Sequence, residues 1–398
     1  MTKNKNVIFF PSYSVGVSGA MAKENFRLNE KTTARIFSRK DTTEKMYHPF
    51  YLITAGHNYK NFNLREQMGL DKEVFVMGDS GGFQIATGAL EWNENLRETI
   101  FHWLEHNSDI AMNIDLPPRK KYENNFNEAL EKSIDNFKYF NEHQTGKTKF
   151  LNVLQGAALS FNHAKEWYSK SKDFEFSGWA MGGSRTIDKI MMGIAMFLEY
   201  KEFEKPYNEY VHYLGVSAPV HFFILSMLQK AMNKKFDNRI QLTCDSSTPS
   251  LTSAYGSYYY DVNWNIPSFK LFQISKKHQL NLESDLPCSI NCDICNGLKF
   301  KDISKFDKLQ YGILIFHNTN IFLDTMKKIN VILDCHDELI KDFLPTPFYN
   351  LHKVINEMFE SPHPLQIYNK HIELFRSMSS SAGINIDNSI INEFFETK

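Results

Sequence analysis

Residues 74–82 read Val-Phe-Val-Met-Gly-Asp-Ser-Gly-Gly, an apolar run cut off by an aspartate and two glycines. The same grammar recurs along the first two thirds of the chain. VIFFPS (7–12), FYLITAG (50–56), IAMNIDLPP (110–118), KFLNVLQGA (149–157), FSGWAMGGS (176–184), VHYLGVSAP (211–219) and IQLTCDSS (240–247) each run apolar and then break. Runs this continuous read as parallel strands buried on both faces. Between them lie stretches of helical period, such as 89–107, 124–144 and 221–235. Alternating strands and helices mean a doubly wound sheet or a barrel. The polar residues decide, because Asp79, Asp115, Gln155, Gly183 and Asp245 each sit just after a different strand. A TIM (β/α)8 barrel gathers those strand ends around one mouth. The reading counts seven core strands from Tyr51 to Asp245 and places the eighth near Phe269 to Ile274. It treats VIFFPS as an extra N-terminal strand.

Working outward, 398 residues accommodate one barrel with appendages. We expect an N-terminal extension over 1–49, a barrel domain over 50–344 with a zinc-binding subdomain at about 281–318, and a C-terminal helical appendage over 345–398. Hydrophobic residues at 42% and charged residues at 23% are those of an ordinary soluble globular protein. No apolar stretch is long enough to span a membrane and no signal peptide is evident, so the expected location is the cytoplasm. The net charge of −1 gives no global basic signature of a nucleic-acid binder. Only nine residues are Arg, and none lies between Arg239 and Arg376, so phosphate contacts there would fall to Lys or backbone amides.

Two local patterns carry chemistry. In GDSGGFQ (78–84) two glycines let the backbone pass close to a ligand, although an Asp in that position can equally serve only as a helix cap. Further on, Cys288, Cys292, Cys295 and His317 form C-x3-C-x2-C-x21-H. Four such ligands suit a closed, tetrahedral, structural Zn²⁺ site. The alternative is a redox-active Cys-x-x-Cys or plain surface thiols.

Six segments, in order, resemble tRNA-guanine transglycosylases and their DNA-modifying relatives. They are DSGGFQ (79–84), Ile114-Asp115 before Leu-Pro-Pro, Val153 to Gly156, Ala180 to Gly183, Tyr213-Leu214-Gly215-Val216 and Cys244 to Ser247. The likeness spans roughly residues 51–328. The segment Tyr213-Leu214-Gly215-Val216 has Leu where many members have Met, and the cysteine motif has two residues more than the usual C-x-C-x2-C. The resemblance implies that Asp245 is the nucleophile and Asp79 the acid/base. It implies that Asp115 takes the N1–H and 2-amino group of guanine, that Gln155 and the Gly183 amide satisfy O6, and that a buried Phe83 stacks on the base. Ser80, Gly182 and Leu214 complete the implied pocket. The target nucleotide would have to be flipped out or single-stranded.

Two departures favour DNA over tRNA. The first 50 or so residues do not resemble the tRNA enzymes, and NGLKFKDISKFDK (296–308) stands where those enzymes carry an Arg-rich stretch. The expectation is a DNA-guanine transglycosylase that inserts a 7-deazaguanine such as preQ0, with lysines 270, 276, 277, 299 and 301 meeting the polymer. A homodimer is compatible with it. The alternatives are a tRNA-guanine transglycosylase, a noncatalytic partner subunit of one, and an unrelated sugar-binding or hydrolase barrel.

Overall fold

The computed structural model describes residues 5–13, 37, 47–118, 126–265, 267–274, 281–290, 292–304, 308–335, 337–380 and 385–386. Eight parallel strands form one sheet: β1 (Ile8–Pro11), β2 (Phe50–Thr54), β3 (Phe75–Asp79), β4 (Ile110–Met112), β5 (Lys149–Leu154), β6 (Gly178–Met181), β7 (Tyr210–Tyr213) and β8 (Gln241–Ser246). Their order is β1-β8-β7-β6-β5-β4-β3-β2, so each strand from β3 onward pairs with its predecessor, and β1 pairs with β8. The ring is all but closed by packing between β1 and β2. The Phe10 and Phe50 rings lie 5.6 Å apart, and His48 Nε2 reaches the Phe9 carbonyl at 2.9 Å. Phe10 also meets Phe75 of β3 and His212 of β7, so side chains from four strands share the interior. This is a TIM barrel.

The seven strands expected between Tyr51 and Asp245 are all present. The eighth differs from the expectation. VIFFPS, read as an extra strand within an N-terminal extension, supplies barrel strand β1, with all four of its strand residues buried. The segment assigned to strand eight instead forms β10 (Ser268–Gln273), antiparallel to β9 (Ser257–Asn263) in a separate small sheet that β11 (Asn385–Ile386) joins. The place beside β8 is already taken by β1, and the short connection between β9 and β10 allows only an antiparallel hairpin between those two.

The helix that should follow β8 is displaced in sequence. Lys308–Leu333 packs against the helix Pro219–Phe236, with Phe322 against Phe222 and Phe9. Everything from 248 to 304 is therefore inserted between the last strand and its helix. The hairpin rests on that helix through Phe269 and Phe322, stacked at 4.3 Å. At the C-terminus, Thr346–Glu360, Pro364–Lys370 and Ile372–Ser380 form a helical appendage on the barrel's outer layer. Phe348 packs on Phe223, and Ser379 Oγ accepts the Ile187 amide at 2.9 Å. Among the described residues no helix is long and apolar enough to cross a membrane.

Candidate active site and metal centre

β3 ends at Asp79, and the chain must turn at once into the short helix Gly82–Ala86. Gly81 makes that turn at φ 83°, where a side chain is strained. A Cβ on Gly82 would stand 2.3 Å from the Asp115 carbonyl oxygen, so this glycine lets the end of β3 lie directly against the end of β4. The Gly81 amide donates to Asp79 Oδ1 at 3.1 Å, and Ser80 Oγ donates to the Asn113 carbonyl at 3.1 Å. Ser80 is thus a buried tie between two strand ends.

Asp115 is buried, and its Oδ2 accepts from Gln155 Nε2 at 2.7 Å. Gly182 packs beneath that amide, where a Cβ would lie 2.2 Å from Nε2. Gly183 follows on the exposed side of the turn. Burial pushes the Asp115 carboxyl up to about 7; the Gln155 hydrogen bond pulls it down and the Asp79 charge adds to the rise. Asp79 is raised as well, by burial first; the Gly81 amide opposes this and the Asp245 charge adds to it. The three carboxyl groups therefore lie within electrostatic reach in sequence: Asp115 with Asp79, and Asp79 with Asp245. Taking a proton on one of a buried pair relieves both burial and repulsion.

Asp245 occupies β8, in register with Phe10 of β1. Its Oδ1 accepts the Gly215 amide at 2.8 Å. Leu214, half-buried, precedes that glycine at the end of β7. His212 Nε2 stands 3.2 Å from the same Oδ1, and His212 Nδ1 lies 2.8 Å from Thr243 Oγ1. Neither His212 nor Thr243 was singled out from the sequence. A signal existed: a histidine and a threonine inside apolar strand runs are costly to bury without a partner, and theirs is each other. Arg185 was also missed. It is exposed just after Gly183 and lays its guanidinium on Gly215, where a Cβ would meet Nη2 at 3.0 Å.

Phe83 corrects an expectation. It is 49% exposed, not buried, because Gly82, Ile85 and Ala86 take the inner face of their short helix. Its ring belongs to the rim of the mouth.

The four residues of the cysteine–histidine motif come together, with their ligand atoms all within 4.8 Å of one another. Cys292 Sγ lies 2.9 Å from Cys295 Sγ and 3.3 Å from His317 Nδ1. His317 Nε2 is 2.5 Å from the Tyr259 carbonyl, which only accepts, so the proton sits on Nε2 and Nδ1 turns a lone pair to the thiols. The imidazole stacks on Tyr258 at 4.1 Å, and the Tyr258 hydroxyl donates to the Pro287 carbonyl at 2.9 Å. A buried Cys3His set with an oriented imidazole could hold a metal ion. Nearby, Lys299 and Lys301 both reach Glu283, at 3.2 and 3.0 Å, and Lys270 reaches Asp261 at 3.4 Å. Lys276 and Lys277 lie outside the described residues.

No family model matches the chain, and no curated protein matches it. Among solved structures, the chain is similar to the carboxyl transferase domain of Rhizobium etli pyruvate carboxylase with pyruvate, at 8% identity and a TM-score of 0.36. The match covers 94% of this chain and 61% of that one.

Proposed function

We propose that the protein is a guanine transglycosylase that exchanges a guanine in DNA for a 7-deazaguanine such as preQ0. The observation that carries this reading is the meeting of three strand-end carboxyls in unlike states. Asp245 is anchored through one oxygen, Asp79 is pushed toward its protonated form, and Asp115 is bound to an amide. Breaking an N-glycosidic bond with retention calls for a nucleophilic carboxylate and a separate proton donor.

In the first step an Asp245 oxygen bonds to the sugar C1′ as the C1′–N9 bond breaks. The electron pair passes to the purine, which takes the proton of Asp79. The incoming base then gives its N9 proton to the Asp79 carboxylate, and its N9 bonds to C1′ as the Asp245 carboxylate leaves. Atoms and charge balance, and nothing is hydrolysed. Asp115 has the chemistry to accept both the N1–H and 2-amino donors of guanine, while Gln155 and the Gly183 amide serve O6. Cys288, Cys292, Cys295 and His317 fit a structural Zn²⁺, which would fasten residues 281–304 to β9. The tRNA reading uses the same site; the absence of tRNA-like features in the first 50 residues and in 296–308 favours DNA.

The deciding experiment incubates purified protein with labelled guanine and either DNA or tRNA. Label entering DNA supports the proposal, and label entering tRNA alone replaces it with the tRNA reading. Asp245→Ala and Asp79→Ala should each lower exchange by at least a thousandfold without loss of fold. Full exchange by Asp245→Ala would refute the assignment.

A further inference from the structure

We infer that His212, fixed by Thr243, is a positioning residue that selects which oxygen of Asp245 attacks the sugar; this rests on the transglycosylase reading above. His212 is fully buried on β7, and its two nitrogens face two residues of β8 that share one side of the strand, Thr243 and Asp245. A carboxylate can only accept, so the proton of the neutral imidazole belongs on Nε2, facing Asp245 Oδ1. The Thr243 hydroxyl then donates to Nδ1, and this bond holds both the tautomer and the ring plane. His212 Nε2 has no aligned hydrogen-bond partner among the described residues, although Oδ1 is only 3.2 Å away. A fully buried N–H left in this state, one small rotation from a carboxylate, is a donor waiting for that carboxylate to settle.

The consequence concerns Oδ1 and Oδ2. Oδ1 is claimed from two sides, by the Gly215 amide at 2.8 Å and by His212. Oδ2 accepts no hydrogen bond among the described residues, so it is the oxygen that bonds to C1′. In the covalent state Oδ1 becomes the ester carbonyl, still facing both donors. When the incoming base expels Asp245, negative charge returns to the carboxylate, where Gly215 and His212 meet it. Both half-reactions should therefore depend on His212, and base recognition, which uses Asp115 and Gln155, should not.

The test is single-turnover formation of the covalent adduct, with a guanine-containing oligonucleotide or a tRNA transcript, whichever the wild-type protein accepts. The variants are Thr243→Val, Thr243→Ser and His212→Asn. Thr243→Val, nearly isosteric and remote from the sugar, should slow adduct formation on the order of tenfold while KM for the free base stays unchanged. Thr243→Ser should restore most of the rate. His212→Asn should lose more, with metal content unaltered. Wild-type rates in both Thr243→Val and folded His212→Asn would overturn the inference, and if His212→Asn does not fold, Thr243→Val decides alone. A fall in base affinity that matches the fall in rate would also overturn it, since that marks a general distortion of the pocket. No adduct from the wild-type protein on either polymer would instead overturn the transglycosylase reading on which this one rests.

Discussion

Asp115 shows how one buried carboxyl bears on stability and on the proposed base recognition together. Its folded pKa of about 7 lies above the ordinary value of 3.8, so the folded state holds this proton more tightly than the unfolded one. Stability from this group is therefore greatest at low pH and falls as pH rises from about 4 to 7, with no further loss above. Asp115→Asn keeps an acceptor for Gln155 and removes the charge. It should raise the melting temperature by a few degrees at pH 8, since a shift of this size is worth on the order of a few kcal/mol. The same change should weaken use of guanine and 7-deazaguanine together, because an amide oxygen cannot serve two donors as a carboxylate does. Leaving a donor unpaired costs about 1–3 kcal/mol. In the wild type, KM for the base should rise as pH falls below 7. Thermal melts and exchange kinetics at pH 6 and pH 8 check both halves; a pH-independent KM would place the recognition edge elsewhere.

At the scale of elements, two placements matter most. β1 closes the ring, and Phe10 fills the interior between β2, β3 and β7. Phe10→Ala should cost about 3–5 kcal/mol of stability, the usual range for a large buried ring, read by denaturant unfolding. Were residues 1–49 a detachable extension, the loss would be near zero. The cysteine–histidine centre acts on a different element, the segment 281–304, which has few strands or helices of its own and is tied to β9 by the Ser289 amide and Tyr260 carbonyl at 3.0 Å. Elemental analysis should find one metal ion per chain. Chelation should lower the melting temperature before it touches exchange at low temperature, because the four ligands leave no position for substrate. Full metal in a Cys292→Ser/Cys295→Ser protein would refute this site.

For the whole molecule, the proposed polyanionic substrate would have to be drawn to the mouth by charge. The net charge is −1, so attraction must be local. Lys299 and Lys301 share Glu283, so they are partly spent on an exposed carboxylate. Glu283→Gln should release both and tighten polymer binding at low salt, and Lys299→Glu with Lys301→Glu should weaken it without loss of metal. Each phosphate contact removed should reduce the log–log salt slope by about 0.9 on duplex DNA. Titrations at several salt concentrations read this directly. An unchanged slope in the double reversal would move the polymer to another face, with Arg185 at the rim of the mouth the next residue to test.

The sequence by itself determined seven strands, the helices between them and the residues at the strand ends. Each strand is a short apolar run that must be buried on both faces, and each break is written in Gly, Pro or Asp. It also named the four members of the cysteine–histidine centre, since ligand spacing is a local property. Tertiary structure alone decided what depends on distant pairing. VIFFPS and the stretch around Phe269 are both short apolar runs, and nothing within either says that one pairs with β8 while the other folds back on β9 as a hairpin. Phe83 looked fit for burial, yet the turn at Gly81 starts a helix whose inner face is taken by its neighbours. His212 and Thr243 stood out in the sequence only as polar residues inside apolar runs, and their pairing, like the place of Arg185, was decided when β7, β8 and the turn after β6 met. A side chain's partner across a parallel sheet is set by register, and register is fixed by the packing of the whole barrel rather than by the residues beside it.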